Sequence, residues 1–246
     1  MKTTKKIPKV IHYCWFGGKE KPSIVKECID SWHTNLSEYK IIEWNETNFD
    51  IYSNQYIREA YKAKKFAFVS DYVRLYALYH VGGIYLDTDV MVYKPFDDLL
   101  LGEAFWGFEQ EEYIATSTFG ARKGHPFIKE FMEDYHQRYF LKSNGEFDDV
   151  TNVAKVTKLL TDRGLVCNGK KQCIEGVGTI YTQEYFSPYD YINCREIQSN
   201  DTYAMHLFYQ SWLPKSTRIK KNIKKTLSRV IGGENVYRVR KLIQKN

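Results

Sequence analysis

The chain has 246 residues, of which 43% are hydrophobic, 27% charged and 16% aromatic, and its net charge is +6. That size and balance suit one ample globular domain or two small ones and exclude a disordered chain. The five cysteines (Cys14, Cys28, Cys167, Cys173, Cys194) match no zinc spacing and read as reduced thiols, and the opening MKTTKKIPKVIHYCWFGG lacks the long apolar run of a signal peptide or membrane anchor, so a cytosolic chain is expected.

Residues 9–16, KVIHYCWF, form an apolar and aromatic run that ends at Gly17-Gly18 and predicts a buried first strand and a turn. Residues 22–36 open on Pro22 and set Ile24, Val25, Cys28, Ile29 and Trp32 on one helical stripe. YKIIEWN (39–45) predicts a second strand, YIREAYKAKK (56–65) a short helix, and FAFVSDYVRLYALYHV (66–81) a mostly apolar helix stopped by Gly82-Gly83. The strand IYLDTDV comes next. AFWGFE (104–109) and YIATSTFGA (113–121) read as further strands, 125–140 and 152–164 as helices, and GTIYTQEYF and TYAMHLFYQSW as late strands or extended loops. Alternation of strand and helix over the first 90 residues argues for an α/β domain around a mostly parallel sheet. No linker interrupts residues 1–213, which read as one domain.

The stretch GGIYLDTDVMV (82–92) poses a chemical question, because a strand of buried character carries two carboxylates. Unpaired buried carboxylates are costly, so a cation or the end of the strand must account for them. In open α/β sheets ligands bind beyond the carboxyl ends of the strands, where Asp87 and Asp89 fall. Residues i and i+2 of a strand share a face about 6–7 Å apart, enough for both carboxylates to hold one hard cation, magnesium or manganese, against an anionic ligand. On the preceding helix, Asp71 and Arg74 share a face at i, i+3, which suits an internal ion pair as well as a polar site.

Charge is unevenly placed. Residues 214–246 hold eleven Lys/Arg against Glu234 alone, which is +10 and leaves −4 for the body. Ile219, Ile223, Leu227, Val230 and Ile231 form one helical stripe among these cations, and Val236, Val239, Leu242 and Ile243 repeat it. A basic amphipathic helical tail of this kind predicts an anionic membrane surface as partner, at the inner face of the cytoplasmic membrane. An ordinary helix packed on the domain has the same pattern. The body is net acidic, with no basic stripe among its aromatics, so no nucleic acid is expected.

Taken together, IPKVIHYCWFGG, FAFVSDYVRLYALYHVGGIYLDTDV and the late MHLFYQSW resemble the glycosyltransferases of family 32, whose sugar-binding region contains a D-x-D motif. The resemblance is sharpest over residues 7–95 and returns near 203–213. It implies a GT-A fold, a nucleotide-sugar donor (a UDP-sugar is the expectation), a divalent metal and transfer of a hexose with retention at the anomeric carbon. It also implies a saccharide acceptor, lipid-linked if the tail docks on a membrane, and a place in capsule or lipopolysaccharide synthesis.

Residue by residue, the resemblance makes Trp15 the aromatic that stacks on the donor base, and Asp71 and Arg74 the residues that hold the ribose and the transferred sugar. Asp87 would touch sugar hydroxyls and the metal, Asp89 would ligate the metal, and His206 would be its late third ligand. Ser211 and Trp212 would reach the diphosphate and leaving oxygen, with Lys215 and Arg218 close behind. Glu109, Glu111 and Asp149 stand unranked as acceptor-side residues. The family's turn before the helix at 152–164 is replaced here by DDVTNVAKVT, which leaves the acceptor side open. A catalytically idle sugar-nucleotide-binding or membrane-binding protein is the alternative reading.

Overall fold

A computed structural model describes residues 6–110, 112–148, 150–190 and 195–209. The strands are β1 (Val10–Cys14), β2 (Lys40–Trp44), β3 (Gly83–Leu86), β4 (Val90–Val92), β5 (Ala104–Gln110), β6 (Tyr113–Ile114), β7 (Thr118–Ala121), β8 (Gln172–Ile174), β9 (Gly178–Tyr181), β10 (Tyr189–Asp190), β11 (Arg195–Glu196) and β12 (Ala204–His206). The helices are α1 (Ser23–Asn35), α2 (Gln55–Lys62), α3 (Phe66–His80), α4 (Pro126–Glu133) and α5 (Asn152–Thr161).

The main sheet is ordered β2-β1-β3-β7-β5-β9-β8, with β6 pairing with β5 beside that path. β1 is parallel to β2 and β3, β7 is antiparallel to β3 and β5, and β9 is parallel to β5 and antiparallel to β8. Five of these seven strands therefore run the same way and deliver their carboxyl ends to one edge. This is the mostly parallel α/β sheet expected from the chain, with β7 and β8 as the reversed members.

Strand alternation divides the core. Along β1, Ile11 and Tyr13 pack with Trp32 of α1 on one face, while Cys14 packs with the residues of α3 on the other. Helix α3 ends at Gly82 and Gly83, whose φ values of 78° and 128° lie in the left-handed region. A Cβ on Gly83 would sit 2.3 Å from the Val10 carbonyl oxygen, so only glycine lets β3 settle beside β1.

β4 is a short strand held from both sides. Trp32 Nε1 donates to the Val90 carbonyl at 2.7 Å, and Asn35 Nδ2 donates to that of Val92 at 3.0 Å. Ser31 Oγ accepts from the Val92 amide at 3.0 Å. These α1 side chains stand in for a neighbouring strand and leave the other edge of β4 free for β12, which sets His206 opposite Val90.

His12 and His125 are fully buried, and burial lowers both from the usual histidine range to about 4. The neutral form suits His12, whose Nε2 lies 2.9 Å from the Gly82 carbonyl and whose Nδ1 accepts from Trp44 Nε1 at 3.0 Å. A proton on Nδ1 would face that N–H. In the unfolded chain both histidines charge below about pH 6.5, so stability holds above that value and falls as pH drops toward 4. Each is expected to cost about 3 kcal/mol by pH 4. Urea unfolding from pH 7 to pH 4 checks this, and His125→Phe should flatten the slope.

Among the described residues the cysteines are free, as expected. No described helix is long and apolar enough to cross a membrane. The basic tail at 214–246 lies outside the described residues.

Candidate metal and donor site

The D-x-D segment is not part of a strand. β3 stops at Leu86, and Asp87, Thr88 and Asp89 form a turn closed by the Val90 amide on the Asp87 carbonyl at 3.0 Å. The expected strand geometry of Asp87 and Asp89 is thus corrected: the turn, rather than the pleat, brings the two carboxylates together. It also resolves the cost of burying them, because the chain leaves the sheet where they begin. Their side chains keep 26% and 14% of their exposure, respectively.

Asp87 is anchored from the β7 side, its amide donating to the Ser117 carbonyl at 2.8 Å. Its Oδ1 accepts from Tyr85 Oη at 3.0 Å and lies 3.3 Å from Arg74 Nη2. The same Arg74 nitrogen is 2.8 Å from Asp71 Oδ1, while Nη1 donates to the Thr116 carbonyl at 2.6 Å and Nε to that of Ser70 at 3.2 Å. The guanidinium also lies over the Tyr85 ring, 4.6 Å from its centre. Arg74 is therefore a buried hub between two carboxylates. Burial opposes its charge, but Asp87, Tyr85 and Asp71 more than compensate and raise it further above its usual range. Burial pushes Asp71 up to about 6, with Asp87 adding to the rise and Arg74 and Arg138 opposing it.

Asp89 is held from the β12 side. Its carbonyl accepts from the Leu207 amide at 2.9 Å, and its Oδ2 from the Tyr209 amide at 2.8 Å. The chain turns back to make these contacts through Phe208, whose φ of 51° is left-handed. Asp89 Oδ1 lies 3.3 Å from His206 Nε2. Burial disfavours a charged His206, yet attraction and hydrogen bonding by Asp89, with Asp87 and Glu109 beyond, raise it to about 9.

One ligand atom each from Asp87, Asp89 and His206 lies within 4.8 Å of the others, so the three expected ligands do converge. Two carboxylates and an imidazole suit a hard or borderline divalent cation such as manganese or magnesium. His206 Nδ1 is buried without a partner among the described residues. A cation on the ring would have to displace the imidazole proton that Asp89 now stabilises.

Trp15 stands at the same sheet edge, after β1. Its Nε1 donates to the Lys19 carbonyl at 2.7 Å, and Lys21 Nζ lies 5.7 Å from the ring centre. Trp15 itself is half-buried. Ser211, Trp212, Lys215 and Arg218 lie outside the described residues, as do Glu111 and Asp149. Glu109, left unranked by the sequence, sits at the end of β5, where His206 and Asp87 act on its charge. The sequence singles out neither Tyr85 nor the Thr116 and Ser117 carbonyls, all of which contact Arg74 or Asp87. Tyr85 stands two residues before Asp87 and was within reach of a strand-alternation argument, whereas carbonyls recruited from 30 or more residues away leave no local signal.

An acidic turn, a buried arginine hub and a late histidine thus meet at the carboxyl edge of an α/β sheet, the edge where open sheets of this kind take their ligands. Residues 1–152 match the family described as capsular polysaccharide synthesis protein, and the chain belongs to that family. An inositol phosphoceramide mannosyltransferase of Schizosaccharomyces pombe is 30% identical over 151 residues, which is 54% of this chain and 40% of that protein. An uncharacterized glycosyltransferase of Acanthamoeba polyphaga mimivirus is 27% identical, covering 85% of this chain and 84% of its own length. The chain spans less than half the length of the two fission-yeast mannosyltransferases that it matches. Among solved structures, a glycosyltransferase involved in the glycosylation of the major capsid of PBCV-1 aligns with 86% of this chain and 97% of its own, at 8% identity and a TM-score of 0.45.

Proposed function

We propose that the protein is a metal-dependent retaining glycosyltransferase that moves a hexose from a nucleoside-diphosphate sugar, a UDP-sugar first among them, to a saccharide acceptor in capsule or surface-polysaccharide synthesis. The observation that carries this reading is the convergence of Asp87, Asp89 and His206 at the edge where such sheets bind nucleotides, in a chain of the capsular polysaccharide family.

Asp87, Asp89 and His206 would hold a divalent cation, manganese or magnesium, which supplies Lewis-acid stabilisation of the departing diphosphate. Trp15 offers its ring to the donor base, and stacking of that kind contributes about 1–3 kcal/mol per base. Arg74 and Asp71 hold hydroxyls of the ribose and the transferred sugar, with Arg74 fixed in place by its two carboxylates. Ser211, Trp212 and Lys215 complete the diphosphate side. The acceptor hydroxyl attacks from the face that the phosphate leaves, and its proton departs on that phosphate. The basic tail docks the domain on the inner face of the cytoplasmic membrane, where a lipid-linked acceptor would lie.

A panel of UDP- and GDP-sugars, with and without manganese, tests the reading by nucleotide release and thermal shift. One nucleotide family should raise the melting temperature only with manganese and should be turned over. No shift and no turnover for any member would overturn it.

A further inference from the structure

Nine large hydrophobic side chains are exposed among the described residues, and four of them, Tyr139, Leu141, Phe147 and Val150, fall in one short segment before α5. They keep between 42% and 63% of their exposure. Residues 140–148 fold back as a hairpin. Leu141 bridges Phe147, the Lys142 amide donates to the Glu146 carbonyl at 2.8 Å, and the Asp148 amide donates to that of Phe140 at 2.7 Å. The root of this hairpin is fixed. Phe140 is fully buried, its ring centre 5.4 Å from that of Tyr56 on α2 and 5.0 Å from that of Phe68 on α3. Arg138 Nε donates to Asp148 at 3.0 Å, and its guanidinium lies 4.7 Å from the centres of the Tyr56 and Tyr135 rings. Single exposed apolar residues need no explanation, whereas a group of them on one firmly rooted projection marks a contact surface.

Cations surround this crown. Lys65 Nζ lies 5.6 Å from the centre of the Phe147 ring, Lys62 and Lys64 stand at the same turn between α2 and α3, and Lys142 is on the hairpin itself. All four are exposed, and no carboxylate among the described residues pairs with them. The acids nearby are occupied: Glu59 by Gln55 and by the Leu141 amide at 3.0 Å, Asp148 by Arg138, and Glu146 by Asn144 Nδ2 at 2.9 Å. Apolar side chains rimmed by unpaired lysines match the layers of an anionic bilayer surface, with its acyl boundary below and its phosphates above. A saccharide would need hydrogen-bonding groups beside the rings, and those nearby are already spent. A second copy would set lysine against lysine across a two-fold axis.

The hairpin also stands beside the candidate site. α3 runs into β3 through Gly82-Gly83, so its first turns lie at the edge that carries Asp87. Asn152 Nδ2, at the start of α5, donates to the Asp71 carbonyl at 3.0 Å and ties the segment after the hairpin to that edge.

We propose that the hairpin with Tyr139, Leu141, Phe147 and Val150 is a membrane-docking element. Its apolar side chains enter the interfacial layer of an anionic bilayer, Lys62, Lys64, Lys65 and Lys142 meet the headgroup phosphates, and the edge with Asp71 and Asp87 comes to lie next to the lipid surface. This docking is separate from that of the basic tail and does not depend on the sugar-transfer reading.

The test pellets the full chain with vesicles of equal parts phosphatidylcholine and phosphatidylglycerol, and with phosphatidylcholine alone. Wild type should partition onto the anionic vesicles at least about tenfold better. Tyr139→Ser/Leu141→Ser/Val150→Ser should lower that partitioning about tenfold at low and at high salt, with an unchanged melting temperature. Lys62→Gln/Lys64→Gln/Lys65→Gln should lower it about tenfold at low salt only. Leu141→Trp should add tryptophan emission that brominated phosphatidylcholine in the vesicles quenches, which places this residue in the bilayer whatever the tail does. Equal pelleting of wild type and both triple variants would overturn the proposal and leave any attachment to the tail. So would an added Leu141→Trp emission that brominated lipid leaves unquenched. Variants that lower the mass of the free protein in the ultracentrifuge, with no change in pelleting, would overturn it too and assign the patch to a second copy.

Discussion

Replacing Asp89 with alanine should abolish manganese-dependent turnover, lowering it by at least about 100-fold, because a Lewis acid contributes several kcal/mol to a departing anion and about 1.4 kcal/mol is a factor of ten. The effect should exceed that of losing one ligand from an open cluster. Asp89 also accepts the Tyr209 amide and pairs with His206, so it fixes the third ligand as well as offering its own oxygen. The more conservative Asp89→Asn should keep the chain folded and still lose the manganese-dependent nucleotide shift. Initial rates of nucleotide release and a manganese titration by thermal shift make the measurement. Turnover within about tenfold of wild type would count against a metal role for Asp89.

Arg74→Met should have the largest effect on stability. The substitution keeps an apolar stem but removes every polar atom from a side chain that is 6% exposed. Asp71 and Asp87 would then face each other without their shared cation, and the Thr116 carbonyl would lose its donor. Breaking a buried pair in this way typically costs about 3–5 kcal/mol. For a chain of this size about 1 kcal/mol moves Tm by roughly 2–4 °C, so a loss of about 10 °C is expected. Coupling gives an internal control. Adding Asp71→Asn to Arg74→Met should restore part of the loss, because the second change removes one stranded carboxylate. Calorimetry of the two single variants and the double variant decides the point, and strictly additive losses would contradict the hub.

Both expectations rest on residues that the sequence brings forward. The i, i+3 spacing of Asp71 and Arg74 on an apolar helix is a local signal, and the two form the ion pair that it suggests. The D-x-D pair was legible as a site but misread as strand. Apolar IYL and V flank it, and nothing local announces that the ladder ends at Leu86. What ends it is the turn closed by the Val90 amide on the Asp87 carbonyl, after a last contact in which the Ser117 carbonyl takes the Asp87 amide from 30 residues away. The same distant segment explains why YIATSTFGA, read as one strand, divides into β6 and β7. The Thr116 and Ser117 carbonyls are spent on Arg74 and Asp87.

His206 shows the limit from the other side. In a run of aromatic residues its type says little, and only the resemblance singled it out. Its position depends on β12 pairing with β4, and β4 in turn depends on α1 side chains, a chain of long-range contacts without periodicity. Glu109 was visible but could not be ranked against Glu111 and Asp149. The direction of β5, a property of the sheet rather than of the segment, brings it to the edge that carries Asp87.

Every catalytic role proposed above depends on one divalent ion held among Asp87, Asp89 and His206. Electron spin-echo spectroscopy of manganese bound to the full chain with UDP tests it most directly. One tightly bound manganese per chain is predicted, with the modulation of a directly ligated imidazole nitrogen that disappears in His206→Ala. Manganese that stays free in solution, or binds without nitrogen coupling, would contradict the account.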